Sequence, residues 1–136
     1  MRSLAKNTIN YLAFSVFVFI ARFVYHLFSH GVTSSDMQSA YLWFLLSAGI
    51  YGGLLWLFPS FEKRAYYRLF INLFNTASAS LVLGLILTGV IDIAGGSSAF
   101  LPLYFWMGKI FYGLSAVAFL FILLPFNRPK KSTQPN

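Results

Sequence analysis

The chain has 136 residues, 58% hydrophobic and 10% charged, with a formal net charge of +7 and no cysteine. Soluble domains carry nearer a quarter charged residues, so this composition excludes an ordinary water-soluble domain. The missing cysteine excludes disulfides, thiolate metal sites and thiol nucleophiles.

Arg2 and Lys6 precede the first apolar run, Ile9–Phe28. About 20 residues make roughly 30 Å of helix, enough to cross the hydrocarbon core. The run is long for a signal-peptide core and no A-x-A site follows, so it reads as a retained span. Ser35 and Gln38 have the S-x-x-Q spacing of a capping box, with Asp36 in the first turn, and they introduce the second run, Ala40–Phe58, which Pro59 stops. Lys63, Arg64 and Arg68 lead into the third run, Leu69–Ile91, which ends at Asp92 and the turn cluster Gly95-Gly96-Ser97-Ser98. Pro102 opens the fourth run, Pro102–Leu124, and Pro125 closes it ahead of a tail, 125–136, carrying Arg128, Lys130 and Lys131.

The connections Ser29–Met37 and Asp92–Leu101 hold no Lys or Arg, whereas the other water-facing segments are basic. That alternation predicts four spans in the plasma membrane with both termini cytoplasmic. Short connections predict neighbouring helices in an all-α, antiparallel up-and-down bundle forming one transmembrane domain, 1–136. Tyr11, Trp56, Tyr66 and Tyr67 are placed at the inner aromatic belt, and Tyr25, Tyr41, Trp43, Tyr104 and Trp106 at the outer one. The basic residues are divided among three segments with no RNA-binding motif beside them, which favours anionic lipid at the cytoplasmic face over nucleic acid as their partner.

Helix association in lipid relies on close backbone contact and shared hydrogen bonds. In the second span Gly49 and Gly53 form a GxxxG pair, and Ala48 and Gly52 a second small pair. In the third, Asn72, Thr76, Ser80, Gly84, Thr88 and Asp92 recur every fourth residue. Such a repeat drifts about 40° per step around a straight helix. It is read as packing glue, with a polar cleft as the alternative.

Arg22 and Lys109 lie inside apolar runs, each several residues below the outer end. A cation at the bilayer centre costs roughly 2.5–3.5 kcal/mol on insertion scales. Asp36 and Asp92 sit at the same outer layer, and His26 and His30 follow Arg22 at i+4 steps. The six residues are read as an outer polar cluster in which Arg22 and Lys109 pair with the two acids; snorkelling to the headgroups is the alternative. The histidine spacing suits a metal, but further ligands are scarce, and no metal or other cofactor is expected. Glu62 is expected to pair at the surface with its basic neighbours.

The H-E-x-x-H, G-x-S-x-G, Walker and Rossmann patterns are absent, so no enzymatic activity is expected. Phe28-Ser29-His30-Gly31-Val32-Thr33-Ser34 and Gly89-Val90-Ile91-Asp92-Ile93-Ala94-Gly95 resemble segments of a group of small four-span membrane proteins of Gram-positive bacteria. The resemblance implies the architecture and no activity. The expectation is an accessory, regulatory or immunity-type subunit that packs against a membrane partner or a second copy. A small transport or binding protein taking a polar or anionic solute at the outer cluster is the alternative, with a holin-like pore former third. Topology is testable in this cysteine-free chain: an impermeant thiol reagent on intact cells is expected to label Ser34→Cys and Ser97→Cys and to spare Ser132→Cys.

Overall fold

A computed structural model describes residues 3–28 and 34–124. The described chain is helical throughout: α1 (Ser3–Phe28), α2 (Ser35–Leu57), a short 3-10 turn η1 (Phe61–Lys63), α3 (Tyr67–Ile93) and α4 (Leu101–Leu123). All four α-helices are long and apolar enough to cross a membrane. The helix of the first run starts at Ser3, before the apolar stretch, and so carries Lys6 within it.

Local chemistry explains most of the ends. Asp36 lies in the first turn of α2, where a carboxylate complements the helix dipole. The residue in the N-cap position is Ser34, one before the expected Ser35, and its hydroxyl donates to Asp92 Oδ2 at 3.3 Å rather than capping the helix. α2 stops at Leu57, two residues before Pro59, because proline disfavours helical backbone in the residue ahead of it. At the end of α3, Gly95 has φ +70°, and the N–H groups of Gly95 and Gly96 donate to the carbonyls of Asp92 and Ile91. This is the left-handed helix stop that glycine permits without strain. Pro102 occupies the first turn of α4, where its missing N–H costs nothing.

Packing follows chain order: α1 lies against α2, α2 against α3, and α3 against α4. Contacts that rise in number along α1 fall along α2. Gly52 lies beside Thr8, Tyr51 and Phe44 beside Tyr11, and Tyr41 beside Ser15 and Phe19. α3 is the hub and the most buried of the four, whereas α1 exposes a broad apolar surface including Phe14, Phe17, Phe19 and Phe23. Exposed apolar side chains are what a lipid-facing surface requires.

Two apolar clusters fill the interior. The larger surrounds Tyr51, Phe61, Phe70, Phe74 and Ile122, at the end that carries the basic connection 58–66, here called the basic end. The smaller gathers Val18, Ala40, Val82 and Leu85 toward the opposite, distal end. Tyr11 and Tyr67, expected in an interfacial belt, are buried in the larger cluster, whereas Trp56 is 82% exposed and Tyr66 is exposed. A tyrosine ring suits a wet interface or a core with an acceptor for its hydroxyl, and Tyr11 has such an acceptor in Asn75.

Small residues set the closest approaches. A β-carbon added at Gly84 would lie 3.0 Å from Tyr104 Cβ, and one at Gly108 would lie 3.2 Å from Leu81 Cβ and 3.5 Å from the Ala77 carbonyl. α3 and α4 therefore touch nearly backbone to backbone. The fourfold repeat does not keep to this seam. Ser80 and Gly84 are buried, with the Ser80 hydroxyl donating to the Tyr104 carbonyl at 3.0 Å, but Asn72, Thr76 and Asp92 are exposed. Thr88 is half-buried and donates to its own helix, at the Gly84 carbonyl. The outer members have rotated away, as a straight helix dictates.

On α2, the small residues facing the neighbouring helices are Ala48, which is buried, and Gly52, beside Thr8. Gly49 and Gly53 have nothing within 4 Å of an added β-carbon, so they do not pack against another helix among the described residues. Gly84→Ala is thus expected to lower stability in detergent by about 1–3 kcal/mol through overpacking, with Gly53→Ala neutral or slightly stabilising; thermal unfolding of the two variants checks this.

Candidate functional site

The connection between α2 and α3 reaches both outer helices. Phe61, 1% exposed, plugs the basic end, its ring 5.6–6.3 Å from those of Phe58, Tyr67, Phe70 and Phe119. That plug fixes the direction of the residues beside it. Glu62 Oε1 accepts the Leu4 N–H at 2.6 Å, in the first turn of α1. Arg64 Nη1 donates to the Ile122 carbonyl at 2.8 Å, in the last turn of α4.

Each charge meets the helix end of opposite partial charge. Each also satisfies a backbone group that has no partner within its own helix. Glu62 is therefore a helix cap and not a surface partner of Lys63 and Arg64. Tyr66 follows with φ 64°, a left-handed conformation that costs a bulky residue about 1–3 kcal/mol, and its ring lies 6.4 Å from that of Phe121.

Above the plug a polar network joins all four helices. Tyr11 of α1 and Tyr51 of α2 both donate to Asn75 Oδ1 of α3, at 2.9 and 2.6 Å. The Ser78 hydroxyl lies 2.9 Å from the Tyr112 hydroxyl of α4 and 3.2 Å from the Ser47 hydroxyl of α2, and Ser47 also donates to the Trp43 carbonyl. Tyr51 is fully buried. In hydrocarbon these hydroxyls have no water to turn to, so their mutual bonds fix how the helices are rotated. Sequence reading missed Tyr51, Asn75, Ser78 and Tyr112. A signal was present, since polar side chains at the depth of an apolar run seek partners within the bundle.

The outer cluster expected from sequence is assembled differently. Arg22 lies over the Tyr41 ring at 5.9 Å, and Lys109 over the Trp106 ring at 5.3 Å. Both arrangements use the ring quadrupole to stabilise a cation outside bulk water. Among the described residues no ion pair joins either cation to Asp36 or Asp92, and Asp92 accepts from Ser34 instead. Arg22 and His26 line a shallow hollow of about 260 Å³ with Phe19 and Phe23, all on α1; Lys109 takes no part in it. His30 lies outside the described residues, and among those described no three His, Asp or Glu side chains are grouped to hold a metal. Ser34 is buried against Asp92, so of the two labelling positions on that side Ser97, which is exposed, is the one that reports topology.

Comparison with protein-family models, curated proteins and solved structures returned no match to this chain.

The network predicts a double-mutant signature. Asn75→Leu leaves two buried tyrosine hydroxyls without an acceptor and is expected to cost about 1–3 kcal/mol. In a Tyr11→Phe/Tyr51→Phe background the same change is expected to cost less than half of that, because no donor is then stranded. Chemical denaturation in detergent measures both. Glu62→Ala is expected to cost about 1 kcal/mol as a lost cap. Lys63→Ala is the expected neutral control, read by the same assay.

Proposed function

We propose that this chain is a non-enzymatic, multi-pass plasma-membrane protein that works by packing against another membrane protein or a second copy of itself. In this reading the four helices run antiparallel, up and down, with the basic end and both termini in the cytoplasm. The lysine and arginine distribution supports the orientation. The order of contacts between α1 and α2 supports the alternation.

One observation carries the packing reading: the GxxxG pair Gly49/Gly53 is not used by the fold. An added β-carbon at either position meets nothing within 4 Å. Leu42, Leu46 and Trp56, which share that side of α2 by helical spacing, are exposed as well. A glycine pair framed by large apolar residues lets a second helix approach at backbone distance, where dispersion and weak Cα–H···O contacts hold it. Within this chain the glycines serve no contact and cost helix propensity, about 1 kcal/mol each relative to Ala. An intermolecular role accounts for them. The resemblance to small four-span proteins of Gram-positive bacteria fits the same reading and adds no activity to it.

The test is association in mild detergent. The wild-type chain is expected to elute with a stoichiometric partner or as a homo-oligomer, and Gly49→Leu/Gly53→Leu as a folded monomer, since an added β-carbon at either position meets nothing among the described residues. A wild-type chain that is a lone monomer in every mild detergent, with no co-purifying protein, overturns the proposal.

A further inference from the structure

A second unfilled feature lies between α1 and α3 toward the basic end. There a groove of about 320 Å³ is lined by Asn7, Asn10, Tyr11, Phe14, Phe44, Asn75 and Ala79. Its hydrogen-bonding groups do not balance. The Asn75 carbonyl oxygen is taken by the two tyrosine hydroxyls, while its amide nitrogen donates to nothing among the described residues. The Asn7 amide nitrogen is buried and has no partner among the described residues. Asn10 makes no hydrogen bond among the described residues either. Asn10 and Asn75 thus bring N–H donors to one groove, with Phe14 and Phe44 beside them, and Asn7 holds an unmet donor just beneath its wall. An unmet donor at this depth costs free energy unless an acceptor is supplied.

The mouth of the groove has a sign. Arg68 precedes Asn75 by seven residues on α3, and Lys6 precedes Asn10 by four on α1. At 3.6 residues per turn both stand on the groove side of their helices, nearer the basic end. Both are exposed. From mouth to interior the order is therefore cation, amide donor, aromatic and aliphatic side chain. An anionic glycerophospholipid presents the same sequence in complementary form: phosphate, ester carbonyls, acyl chain.

We infer that the α1–α3 groove is a binding site for one anionic phospholipid of the leaflet at the basic end, with the phosphate between Lys6 and Arg68. The ester oxygens accept from Asn10 and Asn75, and an acyl chain lies along Phe14, Phe44 and Ala79. The inference rests on the membrane-embedded reading above and deepens it, replacing diffuse attraction to anionic lipid by a single seat. A neutral-headed lipid would satisfy the amides but not the mouth. A second copy of the chain would bring further amides and cations of the same kind to the groove.

The experiment is native mass spectrometry of the full-length protein in detergent, titrated with phosphatidylglycerol or phosphatidylcholine. One phosphatidylglycerol is expected to be retained in preference to phosphatidylcholine. Lys6→Gln and Arg68→Gln are each expected to weaken it about fivefold, corresponding to about 1 kcal/mol per basic residue near the lipid surface. Asn10→Leu, at an exposed position, is expected to weaken both lipids by a similar factor through the lost amide. Lys63→Gln, at the same end on η1, is expected to change nothing. Equal retention of the two lipids overturns the site. So does equal weakening by Lys63→Gln, or dimer formation that Asn10→Leu abolishes. Release of the chain from membranes by alkaline carbonate would overturn the membrane reading itself, and with it the proposed function.

Discussion

Two residues in one short connection, Glu62 and Arg64, hold the ends of the two outermost helices. α1 and α4 are not principal neighbours in this fold, which packs each helix on the next in the chain. What relates them at the basic end is a carboxylate on the first turn of one and a guanidinium on the last turn of the other. Each clasp spans 58 residues, one reaching back along the chain and one forward. The charges sit two positions apart because η1 turns the chain between them, and η1 is anchored because Phe61 is sunk among four aromatic rings. The left-handed Tyr66 then returns the chain into α3. Local strain there is offset by the packing on either side.

The polar network adds what the caps lack. Apolar contact between helices distinguishes one rotation from another only weakly when lipid is an equally good neighbour. Asn75 accepts from two hydroxyls on different helices, and Ser78 connects to two more, so turning α3 about its axis breaks several bonds together. The tight seam of Gly84 and Gly108 sets the distance between α3 and α4. Rotation and distance are thus fixed by different residues on the same helix, and α3 is accordingly the most buried of the four.

The number and type of elements were legible in the sequence because apolar length and helix-end chemistry are local. Asp36, Pro59, Gly95 and Pro102 act within a turn of where they stand. Which face of a helix meets which neighbour was far less legible. Ala48/Gly52 and Gly49/Gly53 are the same motif one residue apart, and only the position of α1 separates the pair facing it from the pair left open. Tyr11 and Tyr67 suit a membrane interface as well as a core, and the burial that assigns them comes from Phe61 and Asn75, distant in sequence. Glu62 stands beside Lys63 and Arg64 in the sequence, although its partner is the backbone of Leu4. At the distal end opposite charges stand on four helices, yet Arg22 lies over the Tyr41 ring and Lys109 over the Trp106 ring.

The length of those two clasps bears on how the chain is made. Translation delivers α1 first, yet the carboxylate that closes its leading turn emerges only with residue 62, and the amide that receives Tyr11 only with residue 75. Until then, of the described helices, α1 has only α2 to pack on, joined by the Ser15–Tyr41 bond and by tilted and edge-on ring contacts. Synthesis therefore sets a natural order, in which an early hairpin waits in the bilayer, its leading end open, for the second half of the polypeptide to arrive and lock it.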